Sequence, residues 1–196
     1  MTVWIIVVAI LGLYLVSAIK ILPEYERGVI FRLGRLLPQV FYYFLLARVA
    51  DPVISVPSGN FGNLTAGLIA KRIGLPVRRF VAATNVNDVV PEFLRTGEYH
   101  PRPSVRTVAN AMDVGAPSNF ERMRAMYGDD VGRLRQDVVG ASFDDARVIA
   151  EIGEVWRRHQ YLLDPHGAIA WLGLQQTLAD HPDATFLLDS GAARRL

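Results

Sequence analysis

The sequence predicts an α/β fold, a parallel-rich sheet with helices on both faces, behind one N-terminal transmembrane helix. Three observations predict it. Residues 53–83 alternate strand-like apolar runs with a glycine-bearing loop and a helical pattern. Helix start signals recur in the second half, each followed by apolar residues at helical spacing. The first residues form an uncharged apolar run.

That run opens the chain. Val3 to Ile19 carries no charge, and with Leu22 included and Lys20 free to snorkel, the stretch 3–22 is 20 residues long. At ~1.5 Å per residue it reaches roughly 30 Å, one hydrocarbon core. Trp4 lies near one end, where amphipathic rings favour the interface, and Lys20, Arg27, Arg32 and Arg35 follow the other. Positive charge stays on the cytoplasmic side, so the chain is expected to cross the membrane once and carry its body in the cytoplasm. No Lys or Arg precedes the run, which argues against a secretory signal peptide.

Next comes Gly28-Val29-Ile30-Phe31-Arg32, with strand character and a turn at Gly34. Gln39 to Arg48 is apolar enough for a buried helix, closed by Asp51-Pro52. Val53 to Val56 reads as a buried strand, residues 57–63 as a loop, and Leu64 to Ile73 as a helix capped by Gly74. Val77 to Ala83 is a second strand. A strand–loop–helix–strand unit of this kind builds parallel sheets. Asp88 is placed to cap a short helix ending near Thr96-Gly97, and residues 99–103 form an exposed loop. Ser118 and Glu121 have capping-box spacing and predict a helix to Tyr127. Asp144 to His159 sets Val148, Ile149, Ile152, Val155 and Trp156 on one helical face. Asp164-Pro165 opens a helix to about Asp180, and residues 184–188 form a last strand. The domain reading is therefore a transmembrane helix at 1–22, a juxtamembrane segment and junction at 23–38, and a body at 39–196.

Composition narrows the chemistry. The chain has no cysteine, which excludes disulfides, thiolate metal sites and cysteine nucleophiles. A formal net charge of +2, spread along the chain, does not point to nucleic acid. His100, His159, His166 and His181 show no metal-ligand spacing, so no metal site is expected.

The loop Ser58-Gly59-Asn60-Phe61-Gly62-Asn63 is the strongest candidate site. It follows a strand and opens a helix, where successive N–H groups and the helix dipole favour an anion. The two glycines allow positive φ and close approach, and Ser58, Asn60 and Asn63 offer side-chain donors. From the pattern alone the loop fits a phosphate, although such turns also occur without a ligand. Asn85, Asn87 and Asp88 end the next strand, where open sheets bind ligands, and are placed either in the cleft or in turn and cap roles.

Two resemblances add to this. The anchor followed by Pro23-Glu24-Tyr25-Glu26-Arg27-Gly28-Val29 and Phe31-Arg32-Leu33-Gly34-Arg35 resembles the start of stomatin-like membrane scaffold proteins, over residues 1–37. From about Gly34 to Leu188 the chain resembles the C-terminal part of threonine synthases. The residues that carry this are Ser55 to Gly67, Phe80 to Asp88, Pro103-Ser104-Val105, Asn110 to Gly115 and Asp164 to Ala170. The two overlap in Gly34 to Gln39. The second resemblance implies a tryptophan-synthase-β-like fold, the cofactor pyridoxal 5'-phosphate held by Ser58 to Asn63, and the conversion of O-phosphohomoserine to threonine and phosphate. It also implies a Schiff-base lysine upstream of the loop. This chain has Lys20 and Lys71 only. Lys71 lies on the helix after the loop, roughly 12 Å from its phosphate end, and is expected to be a solvated helix residue. No catalytic residue is therefore assigned, and turnover by this chain alone is not expected. The expected partners are a small phosphate ligand, the membrane through residues 3–22, and another copy or the missing N-terminal half. The competing expectations are a membrane-anchored scaffold or a phosphate-binding module without turnover.

Overall fold

The computed structural model describes Tyr43, residues 52–178 and residues 186–188. The chain separates into two units, Met1–Gly34 and Arg35–Leu196, and all described residues belong to the second. The expected membrane run at 3–22, the stomatin-like segment and the tail after Leu188 lie outside the described residues. Among those residues no helix is long and apolar enough to cross a membrane.

Four strands form the sheet: β1 (Val53–Pro57), β2 (Arg79–Thr84), β3 (Val138–Ser142) and β4 (Phe186–Leu188). Their order is β3-β2-β1-β4, and every neighbouring pair is parallel. The helices are α1 (Gly62–Arg72), α2 (Val89–Thr96), α3 (Ser118–Met126), α4 (Val131–Asp137), α5 (Asp145–His159) and α6 (Pro165–Leu178). A 3₁₀ turn covers Asn110–Met112.

Strand periodicity sorts side chains to the two faces. Ile54, Val56, Phe80, Ala82 and Val138 point to one face and pack with α1 to α4 in the larger core. Val53, Val81, Ala83 and Ala141 point to the other, the side covered by α5 and α6. Helix α6 approaches closely because Gly173 has no side chain. A Cβ there would lie 3.0 Å from Ala83 and 3.1 Å from Ser55 Oγ. Ser55, fully buried, donates its hydroxyl proton to the Ala170 carbonyl at 2.7 Å. The expected α/β sheet with helices on both faces is present.

Local signals account for most helix ends. Asp144 accepts from the Arg147 N–H at 2.8 Å, and Asp164 from the Gly167 N–H at 2.6 Å, each capping the helix it precedes. Gly97 closes α2 at φ 88°. Two expectations need correction. Ser118 does not form a capping box: it is the first residue of α3, and its N–H and hydroxyl both donate to Asn60 Oδ1, at 2.7 and 3.1 Å. The cap comes from another element, which local spacing cannot reveal. The apolar face of α5 is also narrower than expected. Val148 and Val155 are buried, while Ile149 is 57% and Trp156 48% exposed. Helix α4 and strand β3 carry no expectation from the sequence.

Candidate phosphate site at the carboxyl edge of the sheet

Because the strands are parallel and in register, with Pro57 opposite Ala83 and Thr84 opposite Ser142, their carboxyl ends share one edge. The loop after β1, the turn after β2 and the start of α5 therefore emerge together, where open α/β sheets bind ligands. The Ser58 N–H donates to the Ala83 carbonyl at 2.8 Å and ties the first two together.

The loop does not use its residues as the sequence suggested. Ser58 is buried, and its hydroxyl donates to the Val56 carbonyl at 3.0 Å. Asn60 Oδ1 is taken by Ser118, and the Asn60 carbonyl accepts from Asn119 Nδ2 at 3.0 Å. Asn63 Oδ1 and its carbonyl lie 3.1 and 3.2 Å from the Tyr43 hydroxyl, which donates to them. The oxygens of all three polar side chains thus face protein. What remains open is backbone: among the described residues, the N–H groups of Gly59, Asn60, Phe61 and Gly62 have no acceptor.

The glycines also work differently from expectation. Neither Gly59 nor Gly62 has positive φ; the left-handed residue is Phe61, at φ 59° and ψ 17°. That conformation costs a non-glycine residue about 1–2 kcal/mol. Its ring is buried in the core, which holds it there. A left-handed residue followed by helical ones turns successive N–H groups into a shared concavity, a nest for an anion. Gly59 is needed for room. A Cβ there would lie 2.7 Å from Met112 Cα.

Asn85, Asn87 and Asp88 occupy the neighbouring turn. Asn85 Nδ2 donates to Thr107 Oγ1 and to Asp113 Oδ1, both at 2.8 Å. Asn87 Nδ2 donates to the Val105 carbonyl at 2.9 Å, and Asn87 Oδ1 accepts from the Val105 N–H at 2.7 Å. Asp113 also accepts from the Thr107 N–H and hydroxyl, at 3.0 and 2.7 Å. These polar groups are satisfied internally and fasten segment 105–113 to the end of β2. Asp88 pairs with Arg102, which also grips Glu92. Sequence reasoning missed Asp113, Thr107 and Asn119 as organisers of the site. Asp113 belongs to the quoted segment Asn110 to Gly115, whereas Asn119 carries no local signal.

Lys71 departs from a solvated helix residue. Its ammonium lies 2.6 Å from Asp137 Oδ1 and donates to the Arg78 carbonyl at 2.8 Å. Burial pushes the Asp137 carboxyl up, but hydrogen bonds from Lys71 and Tyr127 outweigh it, and the net displacement is downward. Burial and the Asp137 carboxylate both push the Tyr127 hydroxyl upward. This cluster closes the far end of α1 rather than the loop.

No protein-family model matches the chain. Threonine synthase of Serratia marcescens is 43% identical over 166 residues, covering 79% of this chain and 37% of that protein. The crystal structure of Escherichia coli threonine synthase superposes with a TM-score of 0.71 at 38% identity, covering 79% of this chain and 37% of that one. The pyridoxal-phosphate-bound threonine synthase of Brucella melitensis gives 0.69 at 30% identity, covering 80% and 40%. The chain thus spans about two-fifths of the length of these relatives. Its body is a threonine-synthase-like segment, similar to the C-terminal half of those enzymes in sequence and in fold.

Proposed function

We propose that residues 39–196 form a pyridoxal-phosphate-binding body of threonine synthase type, which holds the cofactor by its phosphate and does not turn over substrate alone. The row of N–H groups from Gly59 to Gly62 at the start of α1, which have no acceptor among the described residues, carries this reading. The residues fit the group: a dianionic phosphate needs several convergent donors, and this edge offers backbone N–H groups at a helix N-terminus. When bound, pyridoxal phosphate supplies an electron sink for carbanion chemistry. The loop's share is to bind and orient. Among the relatives the reaction would be that of threonine synthase, O-phosphohomoserine to threonine and phosphate. That reaction needs a lysine to hold the cofactor and move protons. Lys71 is committed to Asp137 and Arg78, which supports binding without turnover.

Asn85, Asn87 and Asp88 bound the cleft and set the shape of its wall rather than donating freely into it. Exposed Ile149, Trp156, Tyr161 and Leu162 support an apolar contact with a second copy or with an upstream enzyme half. The apolar run 3–22 supports a membrane tether through its length and the basic residues after it, and the resemblance of residues 1–37 to stomatin-like proteins supports the same. Neither alters the reading of the body.

The test is a thermal melt of the full chain with and without pyridoxal phosphate, paired with an assay for threonine from O-phosphohomoserine. Ligand at 100 times its dissociation constant adds about 2.7 kcal/mol. For a chain of this size that raises the midpoint by about 5–11 °C. The expected result is an upward shift with no threonine formed. An unshifted midpoint, or threonine production by the chain alone, overturns the proposal.

A further inference from the structure

We propose that Asn119 is a positioning residue for the phosphate loop, locking the Asn60–Phe61 peptide so that the Phe61 N–H faces the anion; this rests on the phosphate-binding reading above. A peptide unit is planar and trans, so its C=O and N–H point in opposite directions. Asn119 Nδ2 donates to the Asn60 carbonyl at 3.0 Å. Holding that carbonyl on the α3 side fixes the Phe61 N–H on the other. The lock matters at this peptide because Phe61 is left-handed, and rotation of the preceding peptide would relieve that strain while removing a donor.

The lock is itself anchored. Asn119 Oδ1 accepts from Arg122 at 2.6 Å, which sets the amide so that its nitrogen faces the loop. The adjacent Phe120 is fully buried, with ring centroids 5.0 Å from Phe93 and 4.8 Å from Tyr99. The start of α3 is therefore pinned in the core. Gly62 completes the fit: a Cβ there would meet Asn119 Nδ2 at 3.4 Å and nothing else within 4 Å.

Asn119→Leu in the full chain tests this. Leucine is close in size, uncharged and a better helix former than asparagine, so α3 persists. Two readouts go beyond stability: the affinity for inorganic phosphate and pyridoxal phosphate, and the Phe61 amide resonance in the ligand-free chain. We expect affinity for both ligands to fall about tenfold, the scale of one lost hydrogen bond. The Phe61 amide signal should move or double, and the melting midpoint should fall by about 1–6 °C, the cost of the lost hydrogen bond at about 2–4 °C per kcal/mol. Glu121→Gln, an exposed change in the same turn of α3 that leaves the Asn119 contact in place, should keep the parent Phe61 signal and affinity within about twofold. An Asn119→Leu chain with the parent Phe61 signal overturns the lock, whatever the ligand results. A parent chain that binds neither ligand overturns the phosphate-binding reading, while the amide signal still decides the lock.

Discussion

Gly59→Ala adds a single methyl group to the loop, and the structure sets its cost. The new Cβ would lie 2.7 Å from Met112 Cα, 3.1 Å from the Ala111 carbonyl oxygen and 3.2 Å from the Met112 carbonyl carbon. All three are backbone atoms, so no side chain can swing aside. An ordinary contact begins at 3.4 Å, so loop and turn must part by about 0.7 Å (3.4 − 2.7). The turn resists this: it is closed by Met112 N–H to the Ala109 carbonyl at 2.8 Å and Asp113 N–H to the Asn110 carbonyl at 3.1 Å. Overpacking of this kind costs about 1–3 kcal/mol. At about 2–4 °C per kcal/mol, the melting midpoint should drop by about 2–12 °C. Gly62→Ala is the internal control. Its Cβ meets only Asn119 Nδ2 at 3.4 Å, and alanine improves the first turn of α1. That variant should fold as well as the parent or better. Denaturant melts of the pair check the reasoning. A Gly59→Ala chain within about 0.5 kcal/mol of the parent refutes it, because that is the scale of an inconsequential surface change.

Two further predictions concern groups away from the loop. Asp137 has its pKa held below the usual 3.8 against burial, by hydrogen bonds from Lys71 and Tyr127. A depressed carboxylate contributes stability that is present above its unfolded pKa and lost as pH falls through the folded value. Asp137→Asn should therefore destabilise the chain at neutral pH and flatten its acid limb below about pH 4, and parallel acid limbs in parent and variant would refute the assignment. Glu151 is buried and accepts from Trp171 Nε1 and Gln175 Nε2, both at 3.1 Å, with Arg147 at 3.2 Å. Glu151→Leu should cost about 1–3 kcal/mol by stranding these donors and should move the Trp171 indole N–H resonance. An unmoved resonance would show that the carboxylate does not hold the indole.

Much of this fold could be read from the sequence because its signals are local. Asp144 and Asp164 cap helix starts, and Gly97 marks an end, through groups within a few residues of each other. Asp88, also expected to cap α2, turns its carboxylate to Arg102 and Ser142 instead of the helix N–H groups. The first three strands could not all be read this way. Val138–Ser142 is short, lies at a sheet edge and includes Gly140, which is small because a Cβ there would lie 2.7 Å from Pro91 Cα. That constraint comes from a helix about 50 residues away in sequence, and no window around Gly140 contains it. The site divides in the same way. The strand–loop–helix that carries the candidate site was legible as a glycine-bearing loop between β1 and α1. The division of labour within it did not, because Asn60 and Asn63 are occupied by Ser118, Asn119 and Tyr43, partners that only the folded chain brings near.

The loop's conformation is set by forces that require no ligand. Phe61 sits in a left-handed conformation that costs about 1–2 kcal/mol. Its ring is 2% exposed, and burial of an aromatic ring is worth about 3–5 kcal/mol against alanine. The anchor thus exceeds the strain, with the Asn60 contacts to Ser118 and Asn119 added to it. Glycine at position 61 would remove the strain, yet it would also remove the anchor and leave the peptide free to turn. An aromatic residue in a glycine-like conformation therefore suits a receptor whose donors are aligned before the anion arrives. Such a receptor spends little binding energy on ordering itself, which is the physical basis for expecting phosphate affinity from a chain that matches under half the length of its relatives.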